Sequence, residues 1–105
     1  MEAKFDGTVT VGDLDRLWTE LRGGTEDALV DFRAVTAFPD GEKIQQFAMA
    51  ARRITRSRLA FVCGSLAVFG AVRALATQCD FVGPYNVFTQ VGDAVSWLGL
   101  TSLPS

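Results

Sequence analysis

Residues 28–44, ALVDFRAVTAFPDGEKI, leave this chain few ways to fold. The run at 28–32 is apolar apart from Asp31, the pattern of a central strand that leaves the core at its carboxyl end. Residues 34–39 then read as its exit. Phe38 precedes Pro39 and is biased away from helical angles, while Asp40 is a good cap for a helix starting at Gly41, with Glu42 in its first turn. In an open α/β sheet, the crevice at the carboxyl end of such a strand is where ligands and partners meet the fold. Asp31, Arg33, Asp40 and Gly41 therefore become candidate site residues.

The same strand-then-helix grammar repeats on both sides. Residues 3–8 form a short, Gly-containing edge strand. Thr10 caps a helix whose Val11, Leu14, Leu17, Trp18 and Leu21 share one stripe and which Gly23 and Gly24 end. In the helix after Asp40 the stripe is Ile44, Phe47, Ala48, Ala51 and Ile54, which places Arg52 and Arg53 in its last turn. Residues 59–63, LAFVC, give a second buried strand, and Ser65 caps a helix with Val68, Phe69, Val72, Leu75 and Ala76 inward. A turn-rich connector at 80–84 leads to a strand at 85–89 and a last helix at 93–98, ended by Gly99. Alternation of this kind predicts an α/β domain with a largely parallel, helix-covered sheet and right-handed connections.

Composition narrows the class. A chain of 105 residues, 49% of them apolar, supports one core and one domain spanning 1–105. A formal charge of −2 gives no field to recruit nucleic acid. The longest uncharged run, residues 59–72, is too short to span a membrane and has Gly64 and Ser65 inside it. The charged start MEAKFDG lacks the apolar core of a signal peptide, so a cytoplasmic location is expected.

The motifs that could carry chemistry are few. Cys63 and Cys79 belong to no C-x-x-C and are expected to be free and largely buried. A phosphatase-type nucleophile needs Arg six residues after Cys, where this chain has Phe69 and Tyr85. The Gly64-Ser65 turn could offer helix amides to a phosphate, yet neither a dinucleotide fingerprint nor a P-loop is present. Arg52, Arg53, Arg56 and Arg58 crowd one segment; without interleaved aromatics they read as a solvated helix end rather than an anion site. Trp97 either packs over the sheet margin, the favoured reading, or stays partly exposed and, with Leu100 and Leu103 after it, forms an apolar self-association patch. No histidine is available for general-base work, no metal-ligand cluster or cofactor is expected, and Asp31 two residues from Arg33 predicts an ion pair that lowers the carboxylate pKa. An enzyme is accordingly the least favoured class.

FDGTVTVGDLDRLW, ALVDFRAVTAF, RLAFVCGSLAVFGAVRALATQ and NVFTQVGDAVSWLG together resemble the SpoIIAA-like, STAS-like domains found as small free-standing bacterial proteins. The resemblance covers nearly the whole chain and implies a non-enzymatic regulatory module, recognising a protein or a small ligand, as anti-sigma factor antagonists do. That antagonist branch carries a phosphorylatable Ser or Thr where its second helix begins. The matching stretch here is Phe38-Pro39-Asp40-Gly41, so an acid stands at the hydroxyl position, and a capping role needs no phosphate switch. The leading expectation is an interaction domain presenting Asp31, Arg33, Asp40, Gly41 and Ser65, with self-association open to it. The alternative is a carrier of a lipid or anionic metabolite, using apolar space beneath Phe38, Phe69 and Phe88 with Arg33 or Arg73 as counter-ion.

Overall fold

The structure, a computed structural model, describes residues 1–99. Its elements run β1 (Glu2–Thr8), α1 (Val11–Arg22), β2 (Ala28–Ala37), α2 (Gly41–Ala50), β3 (Ile54–Thr55), β4 (Leu59–Cys63), α3 (Leu66–Gln78), β5 (Phe81–Val82), β6 (Tyr85–Phe88) and α4 (Val91–Leu98). Four strands form one sheet in the order β1-β2-β4-β6, every pairing parallel, and β3 pairs with β5 in a separate two-residue ladder. The architecture is α/β, as the alternation implies.

Each crossover moves one place in the same direction across the sheet, and crossovers of one hand then lay their helices on one face. The core follows suit. Val30, Phe32, Phe61 and Cys63 turn to that face and pack with Leu14, Leu17 and Trp18 of α1, Ile44 and Phe47 of α2, and Val68, Val72 and Leu75 of α3. The alternate residues Leu29, Ala60 and Val62 turn to the opposite face, where α4 alone covers them with Ala94 and Leu98. A single short helix cannot roof four strands. On that face β1 presents Glu2, Lys4, Asp6 and Thr8, all exposed, so this half of the sheet stays open rather than helix-covered.

Helix starts are set locally. Thr10 and Asp13 form a reciprocal capping box on α1. Asp40 accepts from Lys43 N on α2, and Ser65 from Val68 N on α3. Gly99 closes α4 at φ 78°, a left-handed angle suited to glycine.

Three expectations need correction. The second helix ends at Ala50, not beyond Ile54, because Ala51 turns extended and Ile54 pairs with Phe81 in the small ladder. Arg52 and Arg53 are therefore outside any helix. Arg56 is not solvated either: it is 5% exposed, and its guanidinium donates to the carbonyls of Glu20, Leu21 and Glu26, closing the end of α1. Finally, β2 continues five residues past Phe32 to Ala37, held by pairing of Ala34, Val35 and Ala37 with β1. Trp97 is half-buried against Phe88, whereas Leu100 and Leu103 lie outside the described residues. No described helix is long and apolar enough to cross a membrane.

Candidate functional site

β1 and β2 end side by side. Between Lys4↔Asp31 and Asp6↔Ala34 the register slips, so β2 carries one residue more than its partner: a bulge at Phe32-Arg33. The bulge turns the Arg33 backbone back on Asp31. Arg33 N donates to Asp31 Oδ1 at 2.9 Å, Nε reaches both carboxylate oxygens at 3.0 and 3.1 Å, and Nη2 reaches Oδ2 at 2.8 Å. This fork is the strong form of the pair, because two parallel donors fix orientation as well as charge.

The bulge also explains a glycine. A Cβ on Gly64 would lie 2.3 Å from Arg33 O, so the β4–α3 turn needs glycine to let the bulged carbonyl pass. The Gly64-Ser65 turn is thus shaped by close packing against β2, and the Ser65 hydroxyl is occupied as a helix cap.

Around the Asp31–Arg33 pair lies an open groove of about 840 Å3, bordered by Lys4 and Asp6 of β1 and by Asp13 and Arg16 of α1. Three cations face three carboxylates there. The groove is a mosaic of charge rather than an anion trap. Arg33, chiefly through its side-chain hydrogen bonds, holds the Asp31 carboxyl below its ordinary value against the opposing cost of burial, and Lys4 adds a smaller pull. Asp31 in turn raises Arg33. Asp13 is held low first by the Thr10 amide and then by the Thr10 hydroxyl, with Arg16 adding to it. Cys63, beside Phe32 on the neighbouring strand, is pushed up to about 12 by burial, with Asp31 adding to it. Such a thiol is no nucleophile near neutrality. Cys79 is free as well, and burial lifts it to about 11.

Asp40 and Gly41 sit next door. They open α2 beside a second hollow, of about 590 Å3, that shares Thr8 with the first and has Phe38 and Lys43 on its wall. Arg73 is elsewhere: it lies 5.8 Å over the Phe69 ring and faces Tyr85 and Asn86 in a groove between α3 and β6. The structure therefore joins Asp31 to Arg33, sets Asp40 and Gly41 alongside, and leaves Arg73 out. Nor do Phe38, Phe69 and Phe88 frame one apolar chamber, since the first two pack on the three-helix face and Phe88 on the α4 face.

Lys4, Asp6, Asp13 and Arg16 border the groove and are not among the residues the sequence singles out. For Lys4 and Asp6 the signal is the alternation in EAKFDGT, whose even positions are polar and belong to one strand face, whereas Asp13 and Arg16 stand on α1 and carry no such signal. Among the described residues no group of three or more His, Cys, Asp or Glu is arranged to hold a metal ion.

Compared with protein-family models, with curated proteins and with solved structures, the chain matches none.

Proposed function

We propose that the chain is a non-enzymatic, STAS-like interaction module that recognises a protein partner through the open end of β1 and β2. The observation that carries this reading is the forked Asp31–Arg33 pair in an open, charged groove bordered by β1, β2 and the first turns of α1. A carboxylate kept ionised by a guanidinium is poorly suited to take a proton near neutrality, and well suited to orient a partner's polar groups. Alternating charges of both signs favour a partner with a matching mosaic, since complementary potentials give specificity more than raw affinity. Asp40 belongs to this surface as a helix cap, and the module works without a phosphate at that position.

The test is capture on immobilised protein, followed by mass spectrometry of bound proteins and small molecules. Wild type is expected to retain a protein partner that Arg33→Gln and Arg16→Gln each release by about tenfold, while Arg73→Glu keeps it. Equal retention by all four proteins, or recovery of a small anionic molecule alone, contradicts the proposal.

A further inference from the structure

The main sheet has two outer strands, β1 and β6, and their free edges differ. Along β6, four residues long, Leu59 N donates to Pro84 O, so the ladder's alternation turns the backbone of Val87 away from β4. The Val87 amide is already held by Asn86 Oδ1 at 2.8 Å. A short edge with one of its outward donors occupied is a poor template for another strand.

β1 is seven residues long. At its two ends Leu29 N donates to Met1 O and Val9 N donates to Ala37 O. The ladder therefore uses the odd-numbered residues and turns the backbone N–H and C=O groups of Glu2, Lys4 and Asp6 to the free edge. Their side chains are exposed on the uncovered face. Neither Lys4 nor Asp6 enters an ion pair or side-chain hydrogen bond among the described residues, although Lys4 acts on Asp31 through space.

We infer that the edge is made for a second copy of this chain, pairing antiparallel along β1 about a two-fold axis at Phe5. This rests on the reading of the β1–β2 end as an interaction surface and names the occupant of its edge. In that register Lys4 faces Asp6 of the second copy, twice by symmetry, and Ala3 faces Gly7. Opposite charges directly across a strand pair stabilise it, and like charges oppose it. Shifting the axis to Lys4 sets Lys4 against Lys4 and Glu2 against Asp6, so the charges reject that register. An axis at Ala3 also matches Glu2 with Lys4, but it leaves Asp6 unpaired and places two alanines at the centre. At the Phe5 axis the two phenylalanines meet instead, each already packed at 5.3 Å on Phe32, which extends the core across the junction. The two sheets then become one, and each copy covers the other's open edge.

Sedimentation equilibrium of the full chain tests this. Wild type is expected to dimerise, more weakly as salt rises. Lys4→Asp or Asp6→Lys alone should weaken the dimer by about tenfold or more, and the double exchange should restore it, because each single exchange reverses the sign match across the axis and the pair of exchanges reinstates it. Glu2→Lys should leave it unchanged, which separates the Phe5 axis from the Ala3 axis. A monomer at every concentration overturns the inference, as does a dimer indifferent to either single exchange or a double exchange that fails to recover with an unaltered melt. Should the chain prove monomeric while capturing another protein through Arg33, self-pairing alone falls and the broader interaction reading stands.

Discussion

Arg56 closes α1 from a distance of more than thirty residues along the chain, donating to the carbonyls of Glu20, Leu21 and Glu26 while its charge meets Glu26 at 3.0 Å. Replacing it by Met keeps much of the volume but leaves one buried acceptor, Leu21 O, and two part-buried ones, Glu20 O and Glu26 O, without their donor; a buried acceptor costs about 1–3 kcal/mol when unsatisfied. Urea unfolding of Arg56→Met should show a loss of about 2 kcal/mol; a loss below about 1 kcal/mol would mean that water satisfies those carbonyls equally well. Nothing near Arg56 in sequence announces this role. Its acceptors come from α1 and the loop after it, so a local reading finds only a run of basic residues. Asp31 and Arg33 are the opposite case: spacing alone predicted their pairing, because residues two apart share a strand face. The bulge that completes the fork was not visible, since register slips arise between strands. Arg33 lowers the Asp31 pKa, so the pair's stabilisation is fully present above the ordinary carboxylate value and is lost as pH falls through the lowered one. Asp31→Asn should therefore flatten the fall in urea midpoint between about pH 5 and pH 2, and an unchanged slope would show that other carboxylates govern it.

Caps were the most readable elements. Thr10, Asp40 and Ser65 each begin the helix expected of them, because a cap is chosen by side-chain reach within three residues. Asp40→Ala should cost about 1 kcal/mol in thermal or urea unfolding, and no change at all would place the start of α2 elsewhere. Helix ends proved harder. Ile44, Phe47, Ala51 and Ile54 keep helical spacing, yet Ile54 is recruited by Phe81 into the small ladder, and that distant pairing stops α2 at Ala50. The length of β2 was hidden for a related reason. Val35 is buried between exposed neighbours, a strand pattern, but the bulge breaks the alternation that would join it to Phe32.

The whole molecule is asymmetric about its sheet. Three helices roof one face and α4 roofs only part of the other, so the outer strand and the end of β2 remain bare. Composition could announce one core and the strand-helix alternation an α/β class, but neither could announce this imbalance, which depends on every crossover stepping the same way. The bare quarter carries the forked pair, the groove and the unpaired backbone edge together, and the account stands or falls on its being the surface that partners touch. Amide-resolved NMR of the labelled chain, titrated with the protein it captures or with unlabelled chain, tests that most directly. Shifts confined to β1, to residues 31–34 of β2, to the first turns of α1 and to the start of α2 at Asp40 are the expected result. Shifts centred on α3 and β6, or on the outer face of α2, would contradict it.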